Sequence, residues 1–183
     1  SASLWRSDDR GTINGMRALS SKFTQKSSSS RNPHKVQMHE LLNLHSKGEF
    51  HRALLKASQL LLDFPNSPDL YNFIGITNRH VGKLEEAIKA YKKAIIINPN
   101  HAEVFNNMGA ALVDQKKLEQ ARNAYKKAIE CKPNYAKAMW NLSGTVGDIN
   151  EAKSWIEKCL FFDPNYEEAK LTLCALEYYQ GDK

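Results

Sequence analysis

The sequence predicts an all-α fold, a solenoid of antiparallel helix hairpins stacked one on the next. Pro-Asn pairs begin at residues 65, 99, 133 and 164, at intervals of 34, 34 and 31 residues. The same intervals relate four alanines, at positions 53, 87, 121 and 152. The bulky residues Tyr71, Phe105 and Met139 follow each other at 34 residues. A period of this length in several registers is the signature of stacked repeats.

Each unit of the period is predicted to be one helix hairpin. From residue 68 to residue 101, apolar and small residues recur at helical spacing in two segments. Gly82 supplies a turn between the segments, and Pro99 ends the second one because proline cannot extend a helix. Small residues at Gly75 and Ala87 let the two helices approach closely, with Tyr91 filling the space beside them. A single hairpin cannot bury its apolar face alone, so neighbouring hairpins must stack.

The repeated pattern resembles the tetratricopeptide repeat. The residues that carry the likeness are Tyr71-x-x-Ile74-Gly75-x-x-Asn78, Ala87-x-x-x-Tyr91 and Pro99, and the pattern recurs from Phe105 to Pro133. The resemblance covers about residues 34 to 183 and implies a right-handed superhelix with a concave side. It divides the chain into repeats at 34–67, 68–101, 102–135 and 136–166, with a partial repeat at 167–183. We therefore expect three full repeats, one shortened repeat and a final helix.

The fourth unit is three residues shorter than the others near Gly147. Either its first helix or its turn must be trimmed to accommodate the loss.

Residues 1–33 share no repeat features and are predicted to be a basic, Ser-rich extension or linker. Residues 1–35 carry seven basic and two acidic side chains, a net charge of +5, which leaves 19 basic against 18 acidic residues in the remainder. Because the repeat region is nearly neutral, a basic nucleic-acid domain is not expected. Ile13, Met16, Leu19 and Phe23 would share one face of a short helix. Residues 1–26 are thus a candidate groove ligand, in cis or in trans.

Composition argues against several other classes of protein. No apolar run is long enough to cross a bilayer, and the start lacks the apolar core of a secretory signal. Cys131, Cys159 and Cys174 form no paired motif, so we expect free thiols in helix cores and a cytoplasmic location. The four histidines at 34, 39, 45 and 51 do not converge at helical spacing, and no catalytic motif occurs. The chain is therefore not expected to be an enzyme or to bind a metal or cofactor.

The resemblance implies that the first helix of each repeat lines the concave groove. Candidate groove residues are Asn72, Arg79, Asn106, Asn107, Lys137, Trp140 and Asn141. Asn107 and Asn141 stand 34 residues apart, as do Asn72 and Asn106, so two short asparagine rows are predicted. An asparagine amide both donates and accepts hydrogen bonds, so such rows suit the backbone of an extended peptide of any sequence. The rows resemble the asparagine ladder of the O-GlcNAc transferase superhelix.

The family's carboxylate clamp for chaperone tails is not expected. Asn107 and Lys137 match that clamp, but Asn72, Ile76 and Asn141 stand where Lys, Asn and Arg are required.

The predicted function is a protein-interaction scaffold whose partner is a protein or peptide segment in the concave groove. Two alternatives stay open at this point. The chain would also serve as a substrate-recruiting or regulatory arm of a larger enzyme, or as a self-assembly module that stacks end to end or exchanges its amino-terminal tail.

Overall fold

The computed structural model describes residues 32–181, and within that range the chain is helical with no strand. The predicted groove ligand at residues 1–26 lies outside the described residues. The predicted boundary between an extension and the repeats, at residue 33, also stays a prediction. The chain divides into two units after Arg31, and the described helices belong to the unit that begins at Asn32.

Eight of the helices form four antiparallel hairpins, and a ninth follows them. Their bounds are α1 Lys35–Ser46, α2 Phe50–Asp63, α3 Pro68–His80, α4 Leu84–Ile97, α5 Ala102–Asp114, α6 Leu118–Cys131, α7 Ala136–Ser143, α8 Ile149–Phe162 and α9 Glu167–Gly181. The prediction of an all-helical solenoid with a shortened fourth repeat and a final helix is confirmed.

Two glycines let the middle hairpins close. A methyl group at Gly75 would lie 2.3 Å from Cε1 of Tyr91, and one at Gly109 would lie 2.6 Å from Cε1 of Tyr125. Both tyrosine rings are buried. The aromatic ring of each second helix therefore occupies the space that a side chain on the first helix would need, as the sequence predicts.

The turns inside the first three hairpins use left-handed backbone. Gly48 has φ 75° and Gly82 has φ 76°, which glycine adopts without steric cost. The corresponding turn of the third hairpin places Lys116 at φ 60°. This turn is the one non-glycine example among the residues described.

The fourth hairpin owes its shortness to its first helix. α7 has 8 residues where α5 has 13. The following turn is longer than that of the third hairpin and ends at Asp148. The Asp148 carboxylate accepts a hydrogen bond from the backbone N–H of Glu151 at 2.7 Å and caps α8.

The hairpins stack through a core that runs from one repeat to the next. Its largest cluster joins Tyr91 of the second hairpin, Val104 and Tyr125 of the third, and Leu142 of the fourth. The first helices of neighbouring hairpins contact each other directly, α3 with α5 and α5 with α7. Within the described range, the second helices make less extensive contacts with one another. The stack therefore curves with its first helices on the inner side.

The three cysteines differ in exposure. Cys159 is buried in a cluster with Met139 and Ile156, as predicted. Cys174 is exposed, so its prediction as a core residue is wrong. It lies on an exposed stripe of α9 together with Leu171 and Tyr178.

Candidate functional site

The inner face of the solenoid is formed by α3, α5 and α7, and its polar side chains are bonded from one repeat to the next. Three hydrogen bonds on it join residues that are 35 positions apart in the sequence, one more than the repeat period. Neighbouring helices cross at an angle, so the residue opposite a given position lies slightly beyond the equivalent position.

The asparagines form two such bonds. Nδ2 of Asn107 donates to Oδ1 of Asn72 at 3.0 Å, and Nδ2 of Asn141 donates to Oδ1 of Asn106 at 2.8 Å. Asn72 is 7% exposed and Asn106 is 1% exposed, whereas Asn107 and Asn141 are half-buried. The hydrogen bonds therefore connect one predicted row to the other and do not run along either row. In each pair, the buried asparagine fixes the orientation of the accessible amide.

Arg79 and Asp114 form an ion pair across the same face. Nε of Arg79 donates to Oδ2 of Asp114 at 2.6 Å, and both side chains are partly exposed. Two tyrosine hydroxyls lie near this pair. Burial raises the pKa of Tyr91 well above its ordinary value and that of Tyr125 to about 12, so both stay neutral. Among the described residues no hydrogen-bond partner reaches the Tyr91 hydroxyl.

Lys137 and Trp140 lie on α7 at the carboxy-terminal end of this face. Lys137 is exposed, and no acidic side chain in the described range pairs with it. Nε1 of Trp140 donates to Oγ1 of Thr172 at 3.3 Å, and its ring lies 5.7 Å from that of Tyr166. Trp140 is therefore fixed against α9 and forms an aromatic border to the face.

A histidine cluster lies at the other end of the face. Nδ1 of His80 lies 3.0 Å from the carbonyl oxygen of Ile76, so this nitrogen carries the proton that the carbonyl accepts. Nε2 of His45 lies 3.3 Å from the same nitrogen. Burial, and secondarily the neighbouring His80, lower the pKa of His45. The sequence gives no sign that His45 reaches His80 from the preceding repeat.

The sequence also does not predict a second histidine contact. Nε2 of His101 lies 3.2 Å from Oδ1 of Asp69, and this hydrogen bond raises the pKa of His101. His101 precedes α5 and falls outside any first helix, so the assignment of groove positions by helical spacing does not include it. No set of three or more potential metal ligands converges within the described range. None of the described helices has the length and apolar character needed to cross a membrane.

Two family models match the middle of the chain. The family model described as TPR repeat matches residues 81–115, and the model described as tetratricopeptide repeat matches residues 102–135. No curated protein sequence matches the chain significantly.

Solved structures share the fold at low sequence identity. A structure from a functional characterization of Pseudomonas aeruginosa pilF has a TM-score of 0.75 at 22% identity and covers 80% of this chain and 68% of its own. A crystal structure of MamA has a TM-score of 0.67 at 23% identity, with 76% and 83% covered. The first TPR of Spaghetti (RPAP3), bound to an HSP90 peptide, has a TM-score of 0.59 at 24% identity, with 62% and 93% covered.

Proposed function

Because the chain is a tetratricopeptide-repeat protein, we propose that it is a non-catalytic interaction scaffold that binds an extended segment of another polypeptide along its inner face. The observation that carries the proposal is the pair of oriented amides at Asn107 and Asn141. Each uses one N–H to reach its buried partner, Asn72 or Asn106. The carbonyl oxygen and the second N–H of each amide stay available for a ligand.

The spacing of these amides suits a peptide backbone. They lie on α5 and α7, which are neighbours in direct contact. Helices in contact are about 8–10 Å apart, which corresponds to roughly three residues of extended chain. Successive amides would therefore meet backbone groups about three residues apart and would not select a particular side chain.

The charges and rings around the amides would select the ligand's side chains. Lys137 is free to pair with an acidic residue, whereas Arg79 is already paired with Asp114. Trp140 borders the same stretch and offers apolar surface. We therefore propose a ligand that carries an acidic residue near an apolar one at the α7 end of the face.

A peptide library tests the proposal without a known partner. Random twelve-residue peptides displayed on phage are selected on the wild-type chain, and an enriched peptide is synthesised with a fluorescent label. Fluorescence anisotropy then compares its Kd for the wild type and for the double variant Asn107→Ala and Asn141→Ala. Removal of two hydrogen-bonding amides is expected to weaken binding at least ten-fold.

Asn43→Ala is the matched control, since Asn43 is an exposed helical asparagine on α1 that forms no part of the amide pairs. It should leave the affinity unchanged. The proposal is wrong if no peptide is enriched, or if the enriched peptide binds the double variant as tightly as the wild type.

Self-assembly is a second candidate because α9 exposes an apolar side. Leu171 is 70% exposed and Tyr178 is 69% exposed. A second copy that stacked on this side would bury both residues. Light scattering over a hundred-fold range of concentration should then show association that Leu171→Lys abolishes, and a constant molar mass would exclude this candidate. The role as an arm of a larger enzyme stays a prediction.

A further inference from the structure

A recess lies on the outer side of the solenoid, opposite the amides of the inner face. It opens between the second helices α4 and α6, and α5 forms its floor. Phe105 and Met108 of α5 line the recess. At 100° per residue, their side of α5 is roughly opposite the side that carries Asn106 and Asn107. A ligand in this recess would therefore not touch the inner-face site.

The floor of the recess is apolar. Ile88, Leu112 and Ala124 are buried at its base, and Phe105 and Met108 are half-buried above them. The cavity has a volume of about 340 Å³, near the lower end of the range for ligand sites, and it would hold one or two side chains. Met108 can adjust its conformation to the shape of what enters. An apolar side chain placed here would displace water from apolar surface, which is favourable.

The rim of the recess is basic. Three lysines line it, Lys92, Lys117 and Lys127, against a single acid, Glu85. Glu85 already accepts a hydrogen bond from Nε2 of Gln115 at 2.8 Å and lies 3.8 Å from Lys117. Lys92 has no acidic partner within the described range. The electrostatic field at the opening therefore favours a negatively charged ligand.

Lys127 also has a carboxylate neighbour, which does not remove its charge from the rim. Its ammonium lies 2.6 Å from Glu130 on the same helix, and both side chains are exposed. Exposed pairs of this kind contribute little energy, so Lys127 can reorient toward a ligand at small cost.

The same short sequence supplies the basic residues from both walls. Tyr-Lys-Lys-Ala-Ile occurs at 91–95 in α4 and again at 125–129 in α6. The tyrosine of each copy is buried, whereas Lys92 and Lys127 line the recess from opposite sides. Stacking of two neighbouring repeats thus creates the basic rim, which neither repeat would form alone.

We propose that this recess is a second docking site, which takes an apolar side chain from an acidic segment of a partner protein. The apolar floor would anchor a leucine or phenylalanine, and the lysines on both walls would pair with glutamates or aspartates that flank it. Such a segment combines the two properties that the floor and the rim require. The site would allow the scaffold to hold two different partners on opposite sides.

The test uses the defined peptide acetyl-Glu-Glu-Leu-Phe-Glu-Glu-Leu-amide, labelled with fluorescein on an added lysine. Its binding is followed by anisotropy, and its position is mapped by chemical-shift changes in the ¹⁵N-labelled chain. We expect shifts at Phe105, Met108 and Ala124. We also expect that the double variant Lys92→Glu and Lys127→Glu weakens binding at least ten-fold.

Two controls separate the site from general charge attraction. The variant Lys89→Glu and Lys126→Glu changes the net charge equally at exposed positions that do not line the recess, and it should bind within two-fold of the wild type. A peptide with serine in place of leucine and phenylalanine should not bind, because the floor then gains nothing. The double variant Asn107→Ala and Asn141→Ala should leave binding of this peptide unchanged. A failure of the recess proposal is therefore distinguishable from a failure of the inner-face proposal.

The proposal is overturned if both charge-reversal variants weaken binding equally, if the serine peptide binds as well as the apolar one, or if the shifts map to the inner face. Sedimentation of the chain without peptide tests whether a second copy of the chain occupies the recess. Self-association that the Lys92→Glu and Lys127→Glu variant abolishes would mean that a second copy fills the recess, which would also overturn the proposal.

Discussion

At the scale of single residues, the close contact of Gly109 with Tyr125 makes a direct prediction about stability. The variant Gly109→Ala places a methyl group where Cε1 of Tyr125 is 2.6 Å away. Because the ring is buried and cannot move freely, we expect a loss of about 1–3 kcal/mol in the free energy of unfolding, measured by urea denaturation.

Gly147→Ala provides the control, since no atom lies within 4 Å of the added methyl group. It should change the stability little. Equal stability of the two variants would show that the glycine–tyrosine contact does not limit the hairpin.

Two histidines should give the stability opposite dependences on pH. The pKa of His45 is lowered, so the unfolded chain binds its proton more readily, and the contribution of His45 is lost as the pH falls below about 6.5. The pKa of His101 is raised by Asp69, so its contribution is fully present below about 6.5 and is lost as the pH rises through the folded-state pKa.

Urea denaturation at pH 5.5 and pH 8 measures both effects. His45→Phe should be more destabilising at pH 8 than at pH 5.5, and His101→Gln should be more destabilising at pH 5.5. If both variants show the same pH dependence, at least one of the two contacts does not govern the titration.

Residue identity was easier to predict than residue contact. The packing roles of Gly75 and Tyr91 follow from sequence because both lie within one hairpin of fixed geometry. The crosswise bonding of Asn107 to Asn72 does not follow from sequence. It depends on the angle between helices of neighbouring repeats, which shifts the opposing residue from 34 to 35 positions away.

At the scale of elements, the turns test how much strain the hairpins tolerate. Lys116 occupies the left-handed region that glycine fills at positions 48 and 82. Lys116→Gly should stabilise the chain by roughly 1 kcal/mol because it removes the steric cost of a side chain there. Gly82→Ala should destabilise it by a similar amount, and chemical denaturation measures both. A loss of stability in Lys116→Gly would contradict the prediction.

The cap of α8 carries a separate prediction. Asp148→Ala removes the hydrogen bond to the N–H of Glu151 and should cost about 0.5–2 kcal/mol in urea denaturation. Asp148→Ser keeps an acceptor at the same position and should retain most of the stability. Equal losses would mean that the cap does not depend on the side-chain oxygen.

The helices themselves follow closely from the positions of proline and glycine, since these residues end helices for local reasons. The trimmed fourth unit was predicted only as a shortened helix or a shortened turn. Local sequence does not decide between them, because the outcome depends on how α7 and α8 pack between their neighbours. The exposure of Cys174 has a similar origin, since the apolar spacing of α9 does not reveal which face stays uncovered.

At the scale of the whole molecule, linear stacking predicts uneven stability along the chain. Each hairpin contacts its neighbours only, so the inner repeats are supported on both sides and the outer helices on one. Amide hydrogen exchange should be slowest in α4, α5 and α6, which share the largest core cluster, and fastest in α1 and α9. Mass spectrometry of exchanged peptides measures this, and uniform protection along the chain would contradict it.

The brevity of α7 has a consequence for how a long ligand would lie on the scaffold. α7 has five residues fewer than α5. At 1.5 Å per residue, α7 is therefore shorter by about 7.5 Å. The missing length corresponds to the stretch of α5 that ends at Asp114. The inner face is therefore narrower at the fourth repeat, on the side where α5 ends. A bound extended peptide would leave the inner face at this edge. The rest of the peptide would then extend into solvent and would not have to pass α9.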